Sequence, residues 1–373
     1  MDASGPDRMF FGWKVVALAF VIAFFAFGVG FYGLGIYMVA LHQRRGWPIA
    51  SISLAITVYY VLGAGVTAAV GDAFERFGPR KVVAVAVGAL GLGTLMLPHL
   101  DRPWQLYGAL GVMAVGWGGM SGAAINAIVA PWFSRKRGLA VSMAMNGATA
   151  GGALLVPLWT VLIRTAGFAS AAAIVVAAMA VVLLPLVVRY LHRGPEYLGL
   201  APDGVPGSPP SAPGAAVSLR RTALMRSGHF WTISVPFALG LFAQVGFLTH
   251  QVAYLTPWLG ADGAGLAVSL TTMAAIVGRT LTGVVIDRVD RRLAASANFA
   301  VQAVAATVMI VAPSPSVLYL ACALFGLGVG NMTTFPALIV QTEYPREHFS
   351  RVVSLVVAIN PVTFAFSGGR TSR

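Results

Sequence analysis

The chain has 373 residues, of which 58% are hydrophobic and only 10% are charged, and its mean hydropathy is +0.80. Soluble domains typically contain about 45–50% apolar and about 25% charged residues, so this composition excludes an ordinary soluble domain and predicts a membrane protein. The formal net charge of +13 does not indicate nucleic-acid binding, because no basic stripe alternates with stacking aromatic residues.

Long apolar runs predict the spans of this membrane protein. A spanning helix needs about 20 apolar residues, and the first six runs of this kind are, in chain order, 12–40, 50–71, 82–99, 104–130, 138–163 and 167–191. Spans 7 to 10 follow at 229–256, 264–287, 293–312 and 316–341, and span 11 begins near residue 351. The predicted fold class is therefore an all-α membrane protein.

The spans divide the chain into two halves joined by a linker. Residues 1–192 form a six-span half, and residues 193–227 form a linker whose Pro, Gly and Ser content is typical of a flexible connection. Residues 228–373 form a second half with five predicted spans and an abruptly polar end. We expect this half to be an incomplete copy of the first, so that the whole chain has about 11 of the 12 spans of a complete pair of halves.

One short pattern occurs twice, about half a chain apart, where one span ends and the next begins. Its two copies are Gly71, Glu75, Arg76 and Arg80, and Gly283, Asp287, Arg288 and Arg292. An internal repeat between apolar spans is typical of transporters with two similar halves. We predict that these loops gate the protein, because glycine allows close helix contact and the acid can pair with Arg or face a helix N-terminus.

Glycines recur at four-residue spacing within several predicted spans. These pairs are Gly118 and Gly122, Gly147 and Gly151, and Gly326 and Gly330. Small residues at this spacing allow the backbones of neighbouring membrane helices to approach closely. We predict that they are packing positions, whose smooth contacts let one half move against the other.

Basic residues are distributed unevenly among the predicted loops. Most of the 25 Lys and Arg lie at the N-terminus and in loops on the same side, whereas the opposite loops contain Arg44, Arg45, Arg102 and Arg164. Cytoplasmic loops of membrane proteins carry an excess of Lys and Arg. We therefore expect a multi-pass integral membrane protein with a cytoplasmic N-terminus, located in the bacterial inner membrane.

The repeated pattern resembles the signature loop of the major facilitator superfamily, and the resemblance covers nearly the whole chain. Several segments are also similar to the monocarboxylate and oxalate/formate transporter branch: Gly12-Trp13, Glu75 to Arg80, Trp132 to Ala140, Leu198 to Gly204, and Gly278-Arg279. The resemblance implies two six-helix halves that alternate access to one central site. It also implies that an arginine of span 8, here Arg279, binds a carboxylate.

Arg279 is the strongest candidate binding residue on physical grounds as well. It precedes Asp287 by eight residues, which places it roughly 12 Å inside the membrane end of a helix. A charge at that depth usually faces the bundle interior or a watery cavity, and every Asp and Glu lies in a loop or at a span end. Guanidinium can bind a carboxylate bidentately. The alternative is a structural role in which Arg279 caps backbone carbonyl groups.

Other polar residues within spans are weaker candidates for the same cavity. His250 can donate to a carboxylate or carry a proton, but it can also be an interfacial residue close to Trp258. The remaining substrate-binding candidates are Tyr32, Tyr59, Tyr60 and Asn331. For each of these four residues, packing between helices is the alternative.

These features predict a secondary active transporter that moves a small organic anion, a monocarboxylate, by alternating access. Symport with protons would need His250 or the substrate itself to carry the proton, because no carboxyl group lies within a span. Exchange of one anion for another is equally consistent. No glycine-rich phosphate loop ends in Lys-Ser or Lys-Thr, so we expect no nucleotide. We also expect no cofactor, metal or catalytic residue, and a monomer whose partners are the anion, protons and the lipid bilayer.

Two alternatives come from other features of the chain. The run Gly119-Met120-Ser121-Gly122 has the form found in intramembrane serine proteases, with His250 as the imagined base, but the match is short and leaves the repeated loop unexplained. The incomplete second half suggests instead a non-transporting remnant of a carrier. Neither alternative changes the predicted helical fold.

Overall fold

The computed structural model describes residues 10–192, 194–204, 221–311, 313–345 and 348–367. All regular structure in these ranges is α-helix or short 3-10 helix, which confirms the predicted all-α class. The described helices include nine segments that are long and apolar enough to cross a membrane. One of them contains two predicted spans, so predicted spans 1 to 10 all correspond to such a segment.

The first half contains α1 Phe11–Gly30, α2 Gly33–Arg45, α3 Ile49–Phe77, α4 Pro79–Met96, α5 Gln105–Gly119, α6 Gly122–Val129 and α7 Arg137–Tyr190. Helix α7 has 54 residues and would extend about 80 Å if straight, far more than a hydrocarbon core of about 30 Å. The chain turns at Gly167, where φ is 82°, a conformation that glycine adopts without steric cost. Spans 5 and 6 lie on either side of this turn.

The second half contains α8 Arg221–Arg226, α9 Gly228–Val285, α10 Arg291–Val311, α11 Pro315–Val329, α12 Phe335–Glu343 and α13 Phe349–Ser367. Helix α9 turns at Gly260, where φ is 71°, and this glycine separates spans 7 and 8. Span 9 is α10, span 10 is α11 with α12, and span 11 is α13. The second half thus contains a described helix for each of its five predicted spans.

Three spans that the sequence analysis treats as continuous are interrupted. Span 1 is broken between Gly30 and Gly33, span 4 at Met120–Ser121, and span 10 by a 3-10 turn at Gly330–Thr333. A broken helix inside a membrane leaves backbone groups that need partners. The Tyr59 hydroxyl donates to the Gly30 carbonyl at 2.6 Å, so the break in span 1 is satisfied by a side chain of span 2.

The predicted packing glycines lie at close helix contacts. A Cβ atom at Gly147 or Gly151 would overlap the backbone carbonyls of span 1, and one at Gly326 would overlap the Thr271 carbonyl of span 8. Such backbone-to-backbone contact excludes any larger residue. Gly122 differs, because its nearest neighbour would be the Met145 methyl group at 3.6 Å, an ordinary contact.

The two halves pack against each other where span 2 contacts span 11 and span 5 contacts span 8, and span 11 also contacts α6 of span 4. We call the end of the bundle at which α1 begins the N-side end. Phe11 contacts Tyr190 there, with ring centroids 6.1 Å apart, and Phe10 contacts Phe133 at 5.7 Å. The loops between spans 2 and 3, 4 and 5, 8 and 9, and 10 and 11 therefore lie at this end.

The beginning of the predicted linker is attached to the first half. It forms 3-10 turns at Pro195–Leu198 and Pro202–Gly204, and residues 205–220 lie outside the described residues. Asp203 Oδ2 accepts hydrogen bonds from the backbone N–H groups of Ser134 and Arg135, at 2.9 and 2.8 Å. This carboxylate fixes the linker on the loop that precedes span 5.

Candidate functional site

Arg279 lies inside span 8 at the contact between the two halves. Its side chain is only 4% exposed, and it lies roughly 12 Å along the helix from Asp287. It contacts span 5 of the first half and span 10 of the second half. This placement agrees with the expectation from the sequence that Arg279 faces the bundle interior.

Close backbone packing brings span 10 to Arg279. A Cβ atom at Gly278 would fall on the backbone of Leu327, and a Cβ atom at Gly330 would lie 2.9 Å from the Arg279 side chain. The short 3-10 turn that begins at Gly330 turns its carbonyl toward the guanidinium group. Two glycines and a helix break therefore prepare one acceptor for the buried cation.

The guanidinium group of Arg279 donates hydrogen bonds to both halves. Nε donates to the Gly330 carbonyl at 2.8 Å, and Nη1 donates to the Met145 carbonyl at 2.6 Å and to the Thr149 hydroxyl at 3.1 Å. Asn146 Oδ1 is also near Nη1, at 3.5 Å. Within the described residues, Arg279 has no acidic partner, and its Nη2 atom has no hydrogen bond. The positive charge is thus held by neutral oxygen atoms alone.

Tyr32 lies at the break in span 1, within electrostatic range of Arg279. Its side chain is 40% exposed. Its ring contacts Phe31 at 5.0 Å and lies over Gly152 of span 5. Its phenol is close enough to interact electrostatically with Arg279. Tyr32 is therefore the predicted candidate that the structure brings to the arginine.

Tyr60 belongs to the same aromatic group. Its ring lies 6.2 Å from Phe31 and 5.3 Å from Tyr59, and its side chain is partly buried. Phe31 also stacks on Trp117 at 6.0 Å. These rings form an apolar wall in the first half, beside Tyr32.

Tyr59 and Asn331 are placed differently from the predicted cavity lining. Tyr59 is 0% exposed, and its hydroxyl is bound to Gly30. Asn331 is buried, and its Nδ2 donates to Asn298 Oδ1 at 3.0 Å and to the Leu327 carbonyl at 3.1 Å. Both side chains tie helices of one half together, which was the packing alternative.

His250 is also placed away from the predicted cavity. Its exposed side chain lines a cavity of about 230 Å³ between spans 7 and 9, together with Phe247, Tyr254 and Met309. Tyr254 donates to the Met309 carbonyl across this cavity at 2.8 Å. All residues around the cavity belong to the second half, and none belongs to span 8.

The geometry does not support a serine protease site. Ser121 is a buried helix cap at the start of α6, and its Oγ accepts from the Ala124 N–H at 3.5 Å. His250 lies in the other half of the protein, against span 9. The residues lining the His250 cavity do not include Ser121, so the two side chains do not form a catalytic pair here.

The first copy of the repeated pattern reaches the second half through its acids. Glu75 lies 3.4 Å from Arg351 at the start of span 11, and Asp72, next to Gly71, lies 3.0 Å from the same guanidinium. Arg76 is placed over the Phe77 ring at 5.0 Å. Acidic residues of the first half thus pair with a basic residue of the second half.

The second copy makes the reciprocal contact. Asp287 Oδ2 accepts a hydrogen bond from the Gly138 N–H at 3.2 Å, in the first turn of span 5, and Asp287 Oδ1 pairs with Arg291 at 3.3 Å. A negative charge is favourable at a helix N-terminus because of the helix dipole. Gly283 lies one turn earlier, where a Cβ atom would be 2.6 Å from Ser142. Both geometries expected for the acid of the pattern therefore occur together.

The last arginine of each copy has a different environment. Arg292 forms a two-point pair with Glu343 at 2.5 and 2.8 Å and contacts Thr232 at 3.1 Å, which joins the N-side ends of spans 7, 9 and 10. The hydrogen bond from Arg292 holds the pKa of Glu343 below its ordinary value of 4.5. Arg80 and Arg288 are exposed at the N-side surface.

Several contributing residues were not identified in the sequence. Asp72 has no acidic counterpart in the second copy of the pattern, where Val284 occupies its place, so comparison of the copies hides it. Arg351 was visible only as one more positive charge before span 11. Thr149 follows Gly147 by two residues and was part of a packing segment, although a hydroxyl within a span is able to form a polar contact between helices.

Comparison with known proteins agrees with this architecture. The family model described as Major Facilitator Superfamily matches residues 16–368. The chain is similar to MFS-type transporter 1 of Ophiocordyceps sp., with 26% identity over 378 residues, covering 97% of this chain and 80% of the relative. It is also similar to human monocarboxylate transporter 11, with 31% identity over 176 residues, covering 45% of this chain and 36% of that protein.

A solved structure shows the same fold. The crystal structure of the E. coli fucose:proton symporter matches with a TM-score of 0.69 and 15% sequence identity, covering 95% of this chain and 90% of that chain. The resemblance to the superfamily that the repeated loop indicated is confirmed by these matches. Because the family match covers nearly the whole described helical bundle, the chain belongs to the Major Facilitator Superfamily, a family of membrane transporters and not of proteases.

Proposed function

We propose that this protein is a secondary active transporter for a small organic anion, a monocarboxylate, which binds at Arg279. The observation that carries the proposal is the environment of Arg279, a buried cation between the two halves that has no acidic partner within the described residues. A buried charge with only neutral partners is costly. An anionic ligand offsets this cost more effectively than a neutral ligand does.

The chemistry around Arg279 favours a carboxylate with an apolar body. The planar guanidinium presents paired N–H donors that match the two oxygen atoms of a carboxylate. The neighbouring surface is formed by Tyr32, Phe31 and Tyr60, which offers three aromatic rings and two phenolic hydroxyl groups to the rest of the ligand. The printed name of the human relative, monocarboxylate transporter 11, supports the same substrate class.

The contacts at the N-side end provide one gate for alternating access. Arg351 pairs with Asp72, and Asp287 binds the first turn of span 5, so both contacts hold the halves together at that end. We place this end in the cytoplasm of a bacterial cell because most Lys and Arg lie there. In this conformation the ligand would reach Arg279 from the opposite end. We also propose that the monomer is the transporting unit.

Ligand-induced thermal stabilisation of the detergent-purified protein tests the proposal. The panel contains lactate, benzoate, succinate, glucose and choline. A ligand at a hundredfold excess over its dissociation constant stabilises the folded state by about 2.7 kcal/mol. We expect stabilisation by lactate or benzoate, and none by glucose or choline.

Three substitutions show whether Arg279 is responsible. Arg279→Gln removes the charge and should abolish the stabilisation, whereas Arg279→Lys keeps the charge without the planar fork and should weaken it. Arg164→Gln makes the same chemical change at an exposed residue and should have no effect. Stabilisation by glucose or choline, or equal stabilisation in the Arg279→Gln variant, would contradict a carboxylate site at Arg279 and favour its purely structural role.

A further inference from the structure

We propose that the N-side end of span 6 binds the headgroup of an anionic phospholipid. The site is a hollow on the exposed surface of the first half, formed by the last turns of α7 beside the first turn of α1. This inference goes beyond the proposed function, because it concerns a second ligand and uses none of the residues around Arg279. It is carried by the shape of the hollow together with the charges beside it.

The hollow has room for a polar headgroup and contains a basic side chain. Its volume is about 660 Å³, within the range of about 300–1,000 Å³ that is typical of small-molecule sites. The lining residues are Pro185, Leu186, Val188, Arg189, Tyr190 and His192. Among the described residues, the lining includes no carboxyl group, and the side chain of Arg189 is exposed. An anion that enters the hollow therefore meets a guanidinium group.

Lys14 of span 1 adds a second cation beside the hollow. The Phe11 ring contacts two rings of the hollow, His192 at 5.9 Å and Tyr190 at 6.1 Å. The Lys14 ammonium nitrogen lies 5.8 Å from the centroid of the same Phe11 ring. In the part of the chain that the structure describes, neither Lys14 nor Arg189 forms an ion pair. Two basic side chains from neighbouring spans are thus available to an anion from outside the protein.

The end of α7 makes these side chains necessary for binding an anion. Arg189 directly precedes Tyr190, the last residue of this helix, and a helix C-terminus carries a partial negative charge. The backbone at this end therefore repels an anion, and a phosphate group has to be held by side chains. The planar guanidinium of Arg189 matches two phosphate oxygens, whereas Lys14 acts as a point charge. Arg189 should therefore contribute more to binding than Lys14.

The surface next to the hollow favours a lipid over a soluble anion. Val181, Leu184 and Val188 follow one another at three- and four-residue spacing, so they lie on one face of α7. These side chains are 72%, 37% and 49% exposed, and they form an apolar strip that leads from the hollow into the membrane. Basic pockets between membrane helices bind anionic headgroups. A phospholipid uses both the cations and the apolar strip, whereas free phosphate uses only the cations.

Thermal unfolding of the detergent-purified full chain measures this binding. The probe is dioctanoyl phosphatidylglycerol. One comparison ligand is dioctanoyl phosphatidylcholine, which has the same acyl chains without a net charge, and the other is inorganic phosphate, which has the anion without the chains. We expect phosphatidylglycerol to raise the thermal midpoint in a saturable manner. Both comparison ligands should raise it far less at the same concentration and ionic strength.

Two substitutions at the hollow and one control locate the binding site. Arg189→Gln should weaken the apparent affinity for phosphatidylglycerol by roughly fivefold, which corresponds to about 1 kcal/mol for one basic residue near a membrane surface. Lys14→Gln should weaken it by a smaller factor. Arg80→Gln is the matched control, because it removes an exposed charge at the same end of the bundle but on α4. This substitution should leave the affinity unchanged.

Three results would overturn the proposed lipid site. Equal stabilisation by phosphatidylcholine would show that only the acyl chains bind, and equal stabilisation by inorganic phosphate would assign the hollow to a soluble anion. Equal affinity for phosphatidylglycerol in Arg189→Gln and the unmodified protein would place the lipid elsewhere. If Arg189→Gln does not fold, the comparison of Lys14→Gln with Arg80→Gln decides. Equal weakening in these two variants would then show a general effect of positive charge and contradict a site at the hollow.

Discussion

The Asp287 carboxylate accepts a hydrogen bond from the backbone N–H of Gly138, 3.2 Å away and 149 residues earlier in the chain. This contact joins the end of span 8 to the first turn of span 5. Its counterpart is the pair between Asp72 of the first half and Arg351 of the second. A carboxylate from each of the two repeated loops thus contacts the other half. The two halves are therefore held together at the N-side end by two separate contacts.

Removal of the Asp287 charge should loosen the contact between spans 5 and 8. A carboxylate at a helix N-terminus contributes about 0.3–1 kcal/mol, so Asp287→Asn should increase opening at this end by roughly two- to fivefold. The reporter is Ser142→Cys in a Cys322→Ser background, because Ser142 is fully buried under Gly283. Its reaction rate with a maleimide measures how often the two helices separate.

The matched control for this measurement is Asp290→Asn in the same loop. Asp290 Oδ1 accepts from the Leu293 N–H at 2.8 Å and therefore caps its own helix, α10. This substitution should leave the labelling rate of Ser142→Cys unchanged. Equal acceleration by both substitutions would show that the loop charge matters in general and that the contact with Gly138 has no special role.

A double-mutant cycle should reveal coupling between Arg351 and Asp72. Their atoms are 3.0 Å apart and the arginine is mostly buried, whereas Glu75 is 3.4 Å from Arg351 and more exposed. Partly exposed ion pairs contribute about 0.2–1 kcal/mol. We expect Arg351→Gln and Asp72→Asn to couple near the upper end of this range in thermal unfolding. The cycle with Glu75→Gln should give less, and the reverse order would contradict this assignment.

This difference between Asp72 and Glu75 shows where sequence patterns stop being informative. Glu75 was identified because both copies of the pattern have an acid at that position. Asp72 and its partner Arg351 are 279 residues apart, and no periodicity relates them. Only the packing of span 2 against span 11 brings them together.

The spans themselves could be predicted because burial in a bilayer needs a long apolar run. The breaks within spans 1 and 10 could not, since each depends on a polar group from another helix. Tyr59 satisfies the carbonyl of Gly30, and Arg279 satisfies the carbonyl of Gly330. Without these partners, a continuous helix is the better expectation for an apolar run.

Arg279 was recognisable as a candidate because a charge deep in a span is rare. Its acceptors were not recognisable, because two of them are backbone carbonyl groups, which have no sequence signature. Asn331 and His250 were chosen by the same argument about polar residues in spans. In the structure, Asn331 donates to Asn298 and His250 lines the cavity beside span 9. The argument failed for these two residues because polarity alone does not say which face of a helix a residue occupies.

The pair between Glu343 and Arg292 should make stability depend on acidic pH. The folded-state pKa of Glu343 lies below its ordinary value of 4.5, so the unfolded chain binds the proton more readily. The pair therefore stabilises the fold fully above about pH 4.5, and this contribution is lost as the pH falls through the lower folded-state pKa. The measurement is the thermal midpoint of the unmodified protein and Glu343→Gln between neutral and acidic pH.

The two melting curves should converge in acid, because protonation abolishes the same charge that Glu343→Gln removes. Arg292→Gln is the control, since it removes the residue that lowers the pKa of Glu343. In the Arg292→Gln background, adding the Glu343→Gln substitution should change the thermal midpoint at neutral pH by less than it does in the unmodified protein. A constant difference between the unmodified protein and Glu343→Gln at every pH would contradict the pairing.

Two tyrosines offer a matched test of binding against packing. Tyr32→Phe removes a hydroxyl from a residue that is 40% exposed beside Arg279, whereas Tyr59→Phe removes one that is fully buried and bound to Gly30. Loss of a buried hydrogen bond that leaves an acceptor without a partner costs about 1–3 kcal/mol. Tyr59→Phe should therefore lower the thermal midpoint and leave the affinity for lactate or benzoate unchanged.

Tyr32→Phe should show the opposite behaviour, with an unchanged thermal midpoint and weaker binding of the carboxylate. The physical reason is that the Tyr32 side chain is 40% exposed and its phenol is within electrostatic range of Arg279, so a carboxylate bound at Arg279 can accept a hydrogen bond from it. A net gain of about 0.5–1.5 kcal/mol per hydrogen bond corresponds to a roughly two- to tenfold loss of affinity. Ligand titration of both variants by thermal shift measures the two effects together. Weaker binding in Tyr59→Phe with normal binding in Tyr32→Phe would contradict a binding surface at Tyr32 and would indicate that the ligand binds beside span 2.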